Sequence, residues 1–176
     1  MTQYVALFRG INVGGKHIVP MKDLREIFSS LGYENVQTYI QSGNAVFSSD
    51  ASTDKLSASL SKEVGKRFGF EPQVLVLTSD RFHEIVASNP YADVDSEPKT
   101  VHVTFLSANP VDPDLATLDE LRAGSESFEL KDGAFYLHAP DGIARSRLAA
   151  KVDRCLGVDT TARNWRTVTK LVEMLT

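Results

Sequence analysis

The sequence predicts an α+β fold made of two ferredoxin-like modules, each with the element order βαββα(β) and an antiparallel sheet. In both halves, short apolar runs rich in β-branched and aromatic residues alternate with segments of helical periodicity. The turn sequences 42–44 (Ser-Gly-Asn) and 131–133 (Lys-Asp-Gly) each join two such short runs, as in β-hairpins. We therefore predict one domain over residues 1–79 and a second over 80–176, the second ending in an extra C-terminal helix.

The first module is predicted to contain four strands and two helices. Helical spacing is clearest for Leu56, Leu60 and Val64, which recur every four residues on one helix face. In this arrangement the first and third strands lie side by side and antiparallel. The predicted strands cover 4–8, 36–40, 45–48 and 73–78, and the predicted helices cover 20–31 and 54–68.

The second module is predicted to repeat this order of elements without a residue-level repeat. A helix from Ser79 or Asp80 to Ala87 and a linker over 88–99 precede it. The last helix stands where a fourth strand is expected, with Thr160 or Thr161 as its N-cap. The predicted elements are a strand at 100–106, a helix at 112–121, strands at 128–130 and 134–137, and helices at 143–156 and 161–175.

The charge distribution argues against a general nucleic-acid-binding protein, because the net charge of the chain is −4. Residues 79–142 contain 13 acidic and 4 basic side chains, whereas residues 143–176 contain 7 basic and 3 acidic ones. The basic end either balances the acidic segment or forms a local anion site. No apolar run approaches the ~18 residues that a membrane helix needs, so no membrane partner is expected.

Cysteine and histidine usage favours a cytoplasmic protein without a metal site. Cys155 is the single cysteine, so no internal disulfide can form. The start of the chain lacks a basic leader, and Arg9 interrupts its apolar stretch, unlike a signal peptide. No Cys or His pair has the spacing of metal ligands, and no cofactor is indicated. The four histidines are His17, His83, His102 and His138.

A glycine-rich segment, residues 9–17, follows the first predicted strand. Glycines there let the backbone turn and expose N–H groups, and Lys16 adds a positive charge, as in a phosphate-binding loop. Gly10, Gly15 and Lys16 match the P-loop spacing G-x-x-x-x-G-K, but His17 replaces the Ser or Thr that would reach Mg²⁺. The segment is therefore either another kind of anion-binding loop or a structural turn.

The second candidate segment is residues 42–44, which a plain hairpin turn would also explain. Because the end of strand one meets the beginning of strand three, the two glycine segments should converge at one edge of the sheet. Few acidic residues would oppose an anion there. The predicted hydrogen-bond donors at this edge are Arg9, Asn12, Lys16, Ser42 and Asn44.

The third candidate segment is residues 160–167, where basic residues surround Trp165. Trp165 shares its helical face with Val168 and Leu171, which favours a core position. Arg163 and Arg166 lie on another face and could form an arginine fork for phosphate or carboxylate. A solvated basic face explains the same pattern.

Three separated motifs resemble one uncharacterised bacterial family, catalogued as domain of unknown function 1697. They occupy residues 9–16, 38–44 and 163–167, and the resemblance covers essentially the whole chain. It implies a cytosolic α+β protein and no established activity. The motif residues are Arg9, Gly10, Asn12, Gly14, Gly15, Lys16, Ser42, Gly43, Asn44, Arg163, Asn164, Trp165 and Thr167.

Three functional hypotheses follow from the sequence. The first is binding of a small phosphate- or carboxylate-bearing ligand, such as a nucleotide, at loop 10–16 and turn 42–44. The second is a single-stranded nucleic-acid-binding module that uses basic helix faces at 147–154 and 163–170. The third is a structural or interaction protein without a small-molecule site. The first assigns binding to Arg9, Gly10, Asn12, Gly14, Gly15, Lys16, Ser42, Gly43, Asn44, Arg163, Asn164 and Arg166, with His17 as the candidate for any acid–base role.

Overall fold

The computed structural model describes residues 1–94 and 97–176. The chain forms two compact units, one of Met1–Glu84 with Lys170–Thr176 and one of Ile85–Thr169. The predicted α+β class is confirmed, since the described residues form two antiparallel four-stranded sheets with flanking helices. The predicted linker over 88–99 includes residues 95 and 96, which lie outside the described part of the chain.

The first unit follows the predicted order of elements. Its sheet has the strand order β2-β3-β1-β4, so the first and third strands are antiparallel neighbours as predicted. β1 is the long central strand and pairs with both β3 and β4. The elements are β1 (Thr2–Arg9), α1 (Met21–Ser30), β2 (Glu34–Tyr39), β3 (Asn44–Ser49), α2 (Thr53–Phe68), β4 (Gln73–Thr78) and α3 (Ser79–Ala87), the last of which continues into the second unit.

An aromatic core joins this sheet to α1 and α2. Alternate residues of β1 point to the same face of the sheet, so Tyr4 and Phe8 both enter this core. The rings of Phe28 and Phe47 meet edge to face, with centroids 5.0 Å apart and planes at 75°. This is a favourable arrangement of aromatic quadrupoles. The core holds β1 in place. It therefore also determines where β1 ends, at Arg9, and where its neighbour β3 begins, at Asn44.

The second unit contains a sheet with the order β6-β7-β5-β8, again antiparallel throughout. Its buried apolar residues, including Leu118, Leu137 and Leu156, form a core of their own. The elements are β5 (Val101–Leu106), α4 (Leu115–Leu121), β6 (Ser127–Lys131), β7 (Ala134–His138), α5 (Val152–Leu156), β8 (Thr160–Asn164) and α6 (Trp165–Met174), with 3₁₀ turns at Pro98–Thr100, Ile143–Arg145 and Ala149–Lys151.

The prediction of a continuous helix over 143–156 is wrong. Two 3₁₀ turns precede a short α-helix, because the Ser146 backbone is extended and its hydroxyl accepts a hydrogen bond from the Ala149 N–H (3.0 Å). Such local side-chain caps compete with helical hydrogen bonds. The basic residues between 147 and 154 therefore do not share one helix face.

The prediction of a helix beginning at Thr161 is also wrong. Thr160 and Thr161 belong to β8, which pairs with β5 and completes the second sheet. β-branched threonines suit a strand, and the pairing covers an edge of β5 that would otherwise be open. The N-cap of α6 is Asn164, whose Oδ1 accepts a hydrogen bond from the Thr167 N–H (3.0 Å). Because Arg163 lies in a strand, residues 163–170 do not form one basic helix face.

A buried histidine lies in the centre of the second sheet. His102 on β5 stands opposite Leu137, a residue of the second core, and is almost fully buried. Burial lowers the pKa of His102 to about 4, and a hydrogen bond to the Thr100 backbone only partly opposes this. A protonated imidazole is poorly solvated there, so His102 is neutral in the folded protein at neutral pH.

We predict that this histidine makes the folded protein sensitive to acid. The unfolded chain binds the proton near pH 6.5 and the folded one near pH 4, so the free energy of unfolding should fall as the pH drops through that window. The full loss should be about 3 kcal/mol. Chemical denaturation between pH 4 and 7.5 measures it. His102→Gln should remove this pH-dependent fall in the free energy of unfolding. His83→Gln, the control at an exposed histidine, should leave it in place.

Candidate functional site

The glycine-rich segment after β1 forms a tight hairpin of its own. The Lys16 N–H donates to the Val13 carbonyl (3.0 Å), and the Asn12 N–H donates to the His17 carbonyl (3.0 Å). Gly14 and Gly15 stand at the two central positions with φ of +58° and +72°, as in a type I′ turn. Helix α1 begins only at Met21, so Lys16 is not at a helix start and no P-loop is formed.

The side-chain amide of Asn12 joins this hairpin to the turn between β2 and β3. Its Nδ2 donates to the carbonyls of Val19 (2.9 Å) and Gln41 (2.7 Å), while its Oδ1 accepts from the Val19 N–H (2.8 Å). Asn12 itself has φ of +54°, a conformation that asparagine tolerates better than most residues. The Asn12 amide thus joins the two ends of the loop, at Asn12 and Val19, and holds them against the turn at Gln41.

Gly43 brings the turn into direct contact with β1. Its carbonyl accepts a hydrogen bond from the Phe8 N–H (2.8 Å). A Cβ at this position would lie 2.6 Å from the Phe8 Cβ and 2.7 Å from the Ile11 Cδ1, and the φ of +86° also favours glycine. The two glycine segments therefore converge at one edge of the sheet, as the topology predicts. We call residues 9–19 together with 40–43 the glycine rim.

The asparagines assigned to ligand binding instead hold the loops together. Asn44 is fully buried, and its Nδ2 donates to the Tyr39 carbonyl and the Ser42 Oγ, each at 3.0 Å. Both amide hydrogens of Asn12 are likewise directed to backbone carbonyls. These donors are occupied by the protein, so both amides shape the rim, and the assignment of Asn12 and Asn44 to ligand binding stays a prediction.

The surface of the glycine rim combines positive charge with exposed apolar side chains. Arg9 and Lys16 are exposed and are the charged residues of segment 9–20, whereas segment 36–49 carries no charge. The apolar side chains were not among the predicted site residues, although isoleucine and valine inside a glycine-rich loop are a detectable signal. These exposed residues are Val13 (62%), Ile18 (54%) and Ile40 (50%).

His17, within the rim, has no catalytic partner among the described residues. Its exposed imidazole stacks on the ring of Phe70, with centroids 4.1 Å apart and planes at 12°. The φ of His17 is +51°, which closes the hairpin on the side opposite Asn12. The structure thus gives His17 a stacking contact that positions the base of the hairpin.

The third predicted segment belongs to the second unit. Arg163 is on β8, and its Nη1 donates to the Ala162 carbonyl (2.9 Å). Burial lowers the pKa of Arg163 to about 10, so the guanidinium keeps its proton at neutral pH. Asn164 caps α6, and Arg166 is exposed on the first turn of that helix. The structure therefore groups nine of the predicted binding residues in the first unit and these three in the second.

Residues 1–94 and 97–176 contain no cluster of three His, Cys, Asp or Glu side chains that could hold a metal ion. Within the same ranges, no helix is both long enough and apolar enough to cross a membrane.

Comparison with known proteins identifies a family. The family described as protein of unknown function (DUF1697) matches residues 1–136, which include the whole glycine rim. The chain belongs to this family. It is also similar to the solved structure of the conserved bacterial protein SP0830 from Streptococcus pneumoniae, with 27% sequence identity, 99% of each chain covered and a TM-score of 0.80. No curated protein matches the chain.

We predict that Gly43→Ala strongly destabilises the first unit. The left-handed backbone should cost about 1–2 kcal/mol, and the overlap with Phe8 and Ile11 about 1–3 kcal/mol more. Denaturant unfolding measures the loss. Gly69→Ala is the matched control, since Gly69 has a similar φ of +81° but no atom near its missing Cβ. Equal losses in the two variants would contradict the close approach of turn and strand.

We predict that Asn12→Asp loosens the rim. Aspartate also tolerates positive φ and keeps the acceptor for Val19, but it cannot donate to the two carbonyls. The free energy of unfolding should fall by about 1–3 kcal/mol. Asn35→Asp is the control, because Asn35 is exposed, has a φ of +53° and loses only one long hydrogen bond, to the Ser48 Oγ (3.4 Å). A loss no larger than that of the control would exclude a stabilising role for the Asn12 amide.

Proposed function

We propose that the glycine rim binds a small anionic ligand that carries a phosphate or carboxylate group next to an apolar part, as a nucleotide does. The observation that carries this proposal is the Asn12 amide, which holds the hairpin and the turn together. As a result, basic and apolar side chains from two distant segments share one surface. Comparison with known proteins supplies the family but no ligand.

Local charge supports an anion rather than a cation. The chain has a net charge of −4, yet the charged residues of segments 9–20 and 36–49 are Arg9 and Lys16. A small positive region on an acidic protein attracts anions to that place and repels them elsewhere. Lysine serves this role well, because its ammonium is a compact charge on a flexible stem.

The turn at Gly14 and Gly15 offers backbone donors beside Lys16. The backbone N–H groups of Asn12 and Lys16 are used inside the hairpin. Those of Gly14 and Gly15 donate no hydrogen bond to any described residue, and both are at the exposed tip. Successive N–H groups in a turn can bind an anion together. An anionic group at the tip would therefore contact two amides and the Lys16 ammonium.

The apolar side chains on the rim favour a ligand with more than an anionic group. The hydrogen bonds of the Asn12 amide join Asn12 to Val19 and Gln41. Each of these three residues has an exposed apolar neighbour in the chain, namely Val13, Ile18 and Ile40. Exposed apolar side chains grouped in this way are typical of binding surfaces. An aromatic base or another apolar moiety could cover them while its phosphate or carboxylate reaches the tip.

The nucleic-acid alternative loses the features that suggested it. Residues 147–154 are divided between a 3₁₀ turn and α5, and residues 163–170 between β8 and α6. In addition, Lys170 forms an ion pair with Glu173 (3.2 Å). We therefore rank a small ligand above a polymer. A cytoplasmic location, expected from the single Cys155, is part of the same proposal.

A titration of the whole protein with inorganic phosphate, adenosine monophosphate and acetate tests the proposal. We expect amide NMR shifts centred on Gly14, Gly15 and Lys16. The nucleotide should bind more tightly than phosphate, since it also covers the apolar side chains. At ~100 times its dissociation constant, a ligand should stabilise the fold by about 2.7 kcal/mol. Lys16→Gln and Arg9→Gln should each weaken nucleotide binding by about tenfold.

Lys62→Gln is the matched control, because Lys62 is an exposed lysine on α2 of the same unit. It should bind the probes as the wild type does. The proposal fails if no probe shifts the rim amides, or if Lys62→Gln weakens binding as much as Lys16→Gln. Either result would favour the hypothesis that the glycine segments are structural turns only.

A further inference from the structure

A cleft in the second unit is lined by charged residues that the glycine rim does not use. Its volume is about 370 Å³, within the range of small-molecule sites. The end of α4, the connection to β6 and the segment 141–147 form its walls. The polar side chains that matter here are Arg122, Glu126, Asp141, Arg145, Ser146 and Arg147.

One wall of the cleft presents two arginines without an ion pair. Arg145 and Arg147 are exposed, and neither forms a hydrogen bond or ion pair with the described residues. Arg122 differs, since its guanidinium pairs with Asp119 (3.2 Å) and donates to the Glu126 carbonyl (2.9 Å). Two guanidinium groups on one short segment suit bidentate recognition of a carboxylate or phosphate.

The backbone between these arginines is held in place by local contacts. Ser146 is buried, its N–H donates to the Ile143 carbonyl (3.0 Å), and its Oγ accepts from the Ala149 N–H (3.0 Å). Gly142, which opens the segment, has φ of +95° and ψ of 146°, a conformation suited to glycine. Arg145 and Arg147 therefore start from a fixed backbone, which reduces the entropy lost on binding a ligand.

The cleft lining also contains a buried glutamate, Glu126, whose side chain forms no ion pair with the described residues. Glu126 is 4% exposed, and its Oε1 accepts a hydrogen bond from the Ala123 N–H (2.8 Å). Asp141, also in the lining, accepts a hydrogen bond from the Ser125 hydroxyl (2.6 Å). A carboxyl group at this place offers oxygen acceptors without a side-chain ion-pair partner, which a cationic group in the cleft would complement.

We propose that this cleft binds a small dipolar molecule, an amine-bearing acid whose carboxylate or phosphate contacts Arg145 and Arg147 and whose protonated amine contacts Glu126. The lining has three arginines and, with Glu120, three carboxylates. A simple anion would meet as many acidic as basic groups there. A ligand with both charges complements both the arginines and Glu126, so the cleft differs from the glycine rim in the class of ligand it takes.

A series of ω-amino acids from glycine to 6-aminohexanoate tests this proposal, with O-phosphoethanolamine as the phosphate-bearing arm. Titration of the whole protein is followed by amide NMR shifts of residues 120–126 and 141–147. We expect an optimum chain length within the series. The matched probes hexanoate and hexylamine carry one charge each. Each should bind at least about tenfold more weakly than the best ω-amino acid. Preference for O-phosphoethanolamine or for a carboxylate identifies the anionic group.

Variants separate the roles of the arginines and of Glu126. Arg145→Gln and Arg147→Gln should each weaken binding of the best dipolar probe by about tenfold. Glu126→Gln should weaken binding of the dipolar probe by the same factor as the arginine variants but leave hexanoate binding unchanged. A merely structural role would not produce this difference between the probes. Arg154→Gln is the control, as an exposed arginine of α5 outside the cleft lining. Should Glu126→Gln not fold, the two exposed arginine variants decide the question.

The proposal is overturned if no dipolar probe shifts the cleft amides, if hexanoate binds as tightly as the dipolar probes, or if Arg154→Gln weakens binding as much as Arg145→Gln. The result of the cleft titration does not depend on whether the glycine rim binds a ligand. Lys16→Gln should abolish neither the chain-length optimum nor the shifts at residues 141–147.

Discussion

The side-chain amide of Asn12 is the interaction on which the arrangement at the sheet edge depends. Loops carry backbone groups that no strand or helix satisfies, and each must find a partner or water. Asn12 supplies three hydrogen bonds at once and links residues 7 and 29 positions away along the chain. The Asn12 amide consequently ties the hairpin to the turn, so that side chains of both segments lie at one edge of the sheet.

Much of the fold follows from local sequence. β4 covers Gln73–Thr78 as predicted, because a short, nearly continuous apolar run has few alternatives. β8 was not predicted, since its threonines equally suit a helix N-cap and its strand conformation depends on pairing with β5. The interruption of the predicted helix over 143–156 has a local cause instead. There the Ser146 hydroxyl decides between competing local hydrogen bonds, which periodicity alone does not report.

The candidate site was predictable in position but not in the role of each residue. Strand order alone brings the two glycine segments together. Whether Asn12 and Asn44 face a ligand or the backbone depends on side-chain orientation, which the sequence pattern does not contain. The requirement for glycine at residue 43 likewise comes from Phe8 and Ile11, which are distant in the chain. Such tertiary contacts are the part of a site that single-sequence reasoning does not supply.

The path of the chain through its two units has a consequence for any attempt to divide the protein. The first unit is built from two separate stretches, Met1–Glu84 and Lys170–Thr176, because α6 starts in the second unit and its last residues belong to the first. Leu171 and Leu175, near the C-terminus, are buried. A fragment cut after residue 84 would therefore lack part of its own structure, and a short C-terminal deletion would damage the unit that contains the N-terminus. Dissection by truncation would confuse the contributions of the two halves, whereas point substitutions keep them separate.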